Sequence, residues 1–181
     1  PNELHRIFAA KAAANGDWND AAKHFRKAAR YADKYSQHRL SMLYWHGVGV
    51  GKDVVEAYVW ADIAAERGYP QFLAIREKMW AALTPEQQAA VPARGDALYK
   101  EFGDPAAKPR FAAALAKALA LEPRQPKALW LKASLEHEEH RYREAASTWR
   151  NLLAVVPAGS SDARIIEANI AEAMRLAAGQ G

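Results

Sequence analysis

The chain contains no cysteine, which excludes disulfides, cysteine-ligated zinc, thiol catalysis and covalent haem attachment through this polypeptide. No apolar run approaches the roughly 18 residues that cross a bilayer, so no direct membrane span is expected. No charged-then-apolar leader precedes the first helical pattern either. The chain begins at Pro1 without a methionine, which leaves open a leader or anchor removed from it or lying outside this sequence, and the missing leader excludes no compartment. Excess charge of one sign is also lacking: 25 basic and 21 acidic residues leave +4 over 181 residues, too little and too dispersed for a nucleic-acid surface. Runs of β-branched residues are few, which disfavours strands.

Motifs for chemistry are missing as well. No G-x-S-x-G elbow occurs, and the carboxylates, among them Glu56, Glu66, Glu144 and Glu172, are spread as helix-surface residues and expected to be solvated. His137 and His140 in "EHEEH" sit one residue short of the H-E-x-x-H zinc spacing and at an expected inter-helix turn, so solvated charge is the better reading and no metal is expected. The expectation is a non-catalytic protein without a cofactor.

What is present favours helix. Half of the residues are hydrophobic, and alanine is abundant. Between two apolar helical patterns lies a loop with Gly47, Gly49 and Gly51. Its order, G-x-G-x-G-K-D after a helix, does not fit a phosphate loop, which follows a strand and carries a hydroxyl where Asp53 stands. It fits a connector: Gly47 stops the first helix in a left-handed cap, and Asp53 caps the next.

Self-similarity supports paired helices. Asp17, Ala21, Ala28 and Ala29 recur as Asp53, Ala57, Ala64 and Ala65, 36 residues on, and "LAKALALEP" ending at Pro123 recurs as "WRNLLAVVP" ending at Pro157, 34 residues on. Such periods mark α-solenoids of antiparallel helical hairpins, with Phe25, Tyr44, Trp60, Tyr142 and Trp149 filling the spaces between alanine faces. Thr84, Pro85 and Gln87 form a further helix start with a capping box. "GDPAAKP", Gly103 to Pro109, is the expected boundary between two arrays, with Asp104 as cap and Pro105 as first helical residue. The preceding "ARGDALYKEFGDP" reads as a poor helix because it holds Gly95, Gly103 and Pro105.

Two resemblances follow from these residues. "SQHRLSMLYWHGVGVGKDVVEAYVWADIAAERG" resembles a Sel1-like repeat through Leu40, Tyr44, Gly47, Gly49, Val50, Asp53, Ala57, Trp60, Ala64, Ala65 and Gly68, with Ser36 and Ser41 replacing the usual alanine and glycine. The tail resembles a tetratricopeptide repeat, counting from Pro126, through Ala133, Tyr142, Ala145, Trp149 and Pro157. Residues 114 to 173 are similar, more narrowly, to the C-terminal periplasmic part of the cytochrome c biogenesis factors called CcmI or CycH. The resemblances imply an all-α fold, with a Sel1-like array over 1–103 and a tetratricopeptide-like array with a C-terminal capping helix over 104–181.

They also imply a protein-binding groove on the inner helices. Its expected lining is Lys127, Trp130, Ser134 and His137 in the tail and His38, Met42, Trp45 and His46 in the Sel1-like repeat. Trp130 and Trp45 suit either groove or core, whereas Tyr44, Trp60 and Trp149 suit core. The expected function is an adaptor that takes a partner helix or peptide. The alternatives are a periplasmic factor holding apocytochrome c, which the family likeness alone implies, and a permanent subunit of a larger complex.

Overall fold

A computed structural model describes residues 2–179. Every regular element among them is an α-helix: α1 (Asn2–Ala14), α2 (Trp18–Ala29), α3 (Lys34–His46), α4 (Val54–Ala65), α5 (Pro70–Ala82), α6 (Pro85–Phe102), α7 (Asp104–Leu121), α8 (Pro126–Glu138), α9 (Tyr142–Leu153) and α10 (Ser161–Ala178). Helices adjacent in sequence pack on one another from α1 through α5, and α4 also carries α6; α8, α9 and α10 pack in turn. The chain divides into two compact units, Pro1–Phe111 and Ala112–Gly181.

The repeat seen in the sequence has a physical counterpart. Ala21, Phe25 and Ala28 of α2 occupy the same steps from their helix start as Ala57, Ala61 and Ala64 of α4 and Ala145, Trp149 and Leu152 of α9, and all nine are buried. Spacings of four and three place them on one face. Alanine lets neighbouring helices approach, and Phe25 and Trp149 fill the wider gaps. The first core is completed by Leu40, Trp60, Ile63 and Phe102, the second by Leu129, Ile166 and Ala173.

The ends of α1, α3 and α8 share one device. The amide after each cap reaches five residues back, Asp17 to Ala12 O at 2.9 Å, Val48 to Leu43 O at 3.0 Å and Arg141 to Glu136 O at 2.9 Å. This is the Schellman closure, which needs left-handed backbone at the intervening residue. Gly16 and Gly47 supply it without strain at φ 77° and 69°, while His140 adopts φ 59° with a side chain. Asp17, Asp33 and Asp53 then accept the free amides at the starts of α2, α3 and α4, and the Thr84–Gln87 capping box starts α6.

The glycine loop is a connector whose glycines have different duties. Gly47 ends α3, and the Asp53 amide closes the loop onto Tyr44 O at 3.0 Å. Gly49 has φ 69° and lies so close to α2 that a Cβ there would stand 2.3 Å from the Trp18 carbonyl. Around Gly51 there is open space.

Two expectations are corrected here. "ARGDALYKEF" is the body of α6, because Gly95 is buried where a side chain would crowd Tyr99 and approach Val59 of α4. "DPAAKP" forms the first turns of α7 with Asp104 already helical, and the division between compact units falls after Phe111.

Asp104 sits there because it joins a buried ion cluster. The Lys34 ammonium, its side chain 5% exposed, places its three N–H groups on Ile63 O at 2.8 Å, Glu66 Oε2 at 2.7 Å and Asp104 Oδ1 at 2.8 Å. Arg67 Nε donates to Asp104 Oδ2 at 3.0 Å, and the Asp104 amide donates to Glu66 Oε2 at 3.0 Å. The start of α3, the end of α4 and the start of α7 thus meet on one charge. Glu66 was expected to be solvated and is instead held by this cluster. Burial alone would raise the Asp104 pKa, but its hydrogen bonds to Arg67 and Lys34, with their charges, hold it below the usual carboxylate range.

Gly49→Ala is expected to destabilise the first unit by more than about 2 kcal/mol, and Gly51→Ala by less than about 0.5 kcal/mol, in urea unfolding followed by circular dichroism. Lys34→Ala takes the ammonium from both the Glu66 and Asp104 carboxylates and is expected to cost about 3 kcal/mol. Since the folded pKa of Asp104 is depressed, its contribution is complete above the unfolded value near 3.9 and disappears as pH falls through the folded value. Asp104→Asn therefore lowers the urea midpoint at neutral pH and flattens its fall below about pH 4.

Candidate functional site

The second unit carries an apolar cavity of about 350 Å³ at one end of its helices. Pro126 opens α8, and the Gln125 side chain accepts the Ala128 amide, so the first turn of α8 is fixed without bulk at its tip. Lys127 and Trp130, three apart, then share one edge of the cavity. Leu152 at the end of α9 and Val156 in the following turn form another edge, and Asp162, Ile165 and Ile166 of α10 the last. Ser160 caps α10, its hydroxyl accepting the Ala163 amide at 3.1 Å.

The floor is buried and the rim is not. Leu152 and Ile166 are buried, whereas Trp130 is 36% exposed and Ile165 50%. Lys127 and Asp162 put opposite charges on the lining. Flat aromatic area beside aliphatic surface, bounded by both charges, suits an apolar side chain presented by a polar chain.

Of the residues expected on the tail groove, the structure brings Lys127 and Trp130 together. Ser134 is half-buried further along α8. His137 turns onto α9, with its ring 5.1 Å from that of Tyr142 and 5.6 Å from that of Trp149. His140 meets the Tyr142 hydroxyl from the turn at 2.7 Å, so the histidines of "EHEEH" serve local packing around one tyrosine.

The first-unit set is spread over different environments. His38 is half-buried with its ring 5.3 Å from Phe72 of α5, and burial, helped by the Arg39 charge, lowers its pKa. Met42 is half-buried, Trp45 packs partly into the first core, and His46 is exposed. Trp60 and Trp149 are buried and Tyr44 is half-buried against the core.

Other polar side chains are joined in clusters between helices. Glu136 is buried, accepts from Thr148 Oγ1 at 2.7 Å and pairs with Lys132 at 2.5 Å. Glu56, expected to be solvated, has a side chain 14% exposed that pairs with Arg26 at 3.7 Å and Arg94 at 3.4 Å and accepts from Trp60 Nε1. Tyr99 donates to Asp62, and burial together with that bond pushes its hydroxyl pKa up, keeping it protonated.

Reading the inner-helix register missed Val156, Asp162 and Ile165, because they lie beyond the paired repeat helices. A signal was present: adjacent Ile165 and Ile166 point about 100° apart on a helix, so a helix packed on one side buries one and leaves the other.

No family model, curated protein or solved structure matches the chain.

Trp149→Ala is expected to cost about 3 to 5 kcal/mol through the cavity it leaves. Trp130→Ala is expected to cost less than about 1 kcal/mol, and near-ultraviolet circular dichroism with urea titration separates the two.

Proposed function

We propose that this chain is a non-catalytic recognition scaffold, a stack of antiparallel hairpins of Sel1-like and tetratricopeptide type, that takes an apolar anchor from a partner helix or peptide. The observation that carries this reading is the apolar cavity beside Trp130 and Ile165. Both side chains leave large apolar area in water at a place where two charges fix direction. Such a surface gains about 25 cal/mol for each Å² of apolar area covered, and one anchor residue dominates binding in sites of this kind.

A second reading is a periplasmic factor that holds apocytochrome c during its maturation. The observation favouring it is placement: the whole cavity lining, from Pro126 to Ile166, lies within the segment that resembles that family. An amphipathic C-terminal helix has the aliphatic stripe that this lining would cover. A permanent subunit of a larger complex would use the same cavity without release.

The test is retention from native extract on wild-type chain, Trp130→Ala and Ile165→Asp, with helicity of each variant checked first. The expected result is a protein retained by the wild type and lost with both variants. An apocytochrome there selects the second reading, and a stoichiometric set that resists salt selects the subunit. Equal retention on all three would overturn the assignment of the cavity as the site.

A further inference from the structure

The first unit holds a separate concavity of about 430 Å³ between α1, α2 and α3. One face of α1 supplies Arg6, Ile7 and Ala10, and the small alanine hollows the site; Phe25 of α2 and Tyr35 and Arg39 of α3 complete it. The two guanidinium groups are in different situations. Arg6 lies 5.3 Å over the Tyr35 ring and pairs with Asp33 at 3.5 Å, so a carboxylate already answers its charge. Arg39 lies 5.8 Å over the Phe25 ring, and its Nε is buried with no acceptor among the described residues.

Arg39 makes no ion pair among the described residues, and an arriving anion on its half-exposed guanidinium answers that charge. Stacked on an aromatic face, a guanidinium keeps its edge N–H groups for a planar, two-oxygen acceptor, which is the geometry of a carboxylate. The neighbouring surface is apolar and open: Ile7 is 58% exposed and Tyr35 48%. Sites for small molecules enclose most of their ligand; this one is shaped for a segment of a larger chain. Glu3 also lines the concavity.

We infer that this concavity binds a peptide segment of a partner protein in which one acidic side chain is flanked by aliphatic residues. The carboxylate pairs with Arg39, and the aliphatic neighbour packs between Ile7 and Phe25. The site is independent of the cavity in the second unit, and either can fail without the other.

The experiment titrates the full chain with the peptide acetyl-Ser-Leu-Glu-Leu-Ser-amide and with its Gln counterpart, following the Arg39 Nε–H resonance by nuclear magnetic resonance. The expected result is a saturable shift at millimolar or lower Glu peptide, at least tenfold weaker affinity for the Gln peptide, and loss of that preference in Arg39→Gln. Ile7→Asp, a substitution at an exposed position that keeps Arg39, is expected to weaken the Glu peptide at least tenfold and covers the case in which Arg39→Gln does not fold. Equal affinity for the two peptides, or no shift at Arg39, overturns the inference. Inorganic phosphate or octanoate binding more tightly than the Glu peptide also overturns it, reassigning the site to free anions or to small amphiphiles.

Discussion

The first unit depends on the ammonium of Lys34. It is nearly out of water, and it is tolerable there only because each of its three N–H groups meets an oxygen, one from the last turn of α4 and two from the carboxylates of Glu66 and Asp104. A buried cation satisfied in this way adds little net stability over an apolar replacement, but it strongly penalises arrangements that lose one partner. Its role is therefore specification: α3, α4 and α7 can meet in one way that leaves no charge unanswered. The same logic recurs in the second unit, where Glu136 is held by Lys132 and Thr148 between α8 and α9.

Around these fixed points the packing is simple. Alanines on one face of α2, α4 and α9 bring helices close, and aromatic residues fill what remains. Trp130 and Ile165 border a cavity instead of covering a neighbour, and Arg39 is stacked on Phe25 without an acceptor for its Nε. These departures from satisfied packing are where the molecule has unspent capacity for contact, which is why recognition rather than catalysis is proposed.

Much of the helical scaffold was legible before any coordinates. Gly47, Asp53 and Thr84 act locally, so their caps could be read from a few neighbouring residues. The alanine spacing gave the buried faces of α2 and α4 for the same reason. The cluster around Lys34 was not legible, since its members lie far apart in sequence and Glu66 looks like any helix-surface carboxylate until α7 arrives. Gly95 misled for a related cause: a glycine that weakens an isolated helix is accommodated when that helix presses against α4. Of the site, Trp130 and Lys127 followed from repeat register, whereas Ile165 and Asp162 required knowing where α10 lies. His137 pointed elsewhere because Tyr142 and Trp149 offer it aromatic faces.

The central claim, that one buried charge fastens three helix ends into a single cooperative unit, is tested most directly by native-state hydrogen exchange on the wild-type chain. The account predicts that amides in the body of α3, the last turns of α4 and the first turns of α7 share one opening free energy and one dependence on denaturant. Exchange of the first turns of α7 at much lower free energy than α3 and α4, with no common unfolding step, would contradict it.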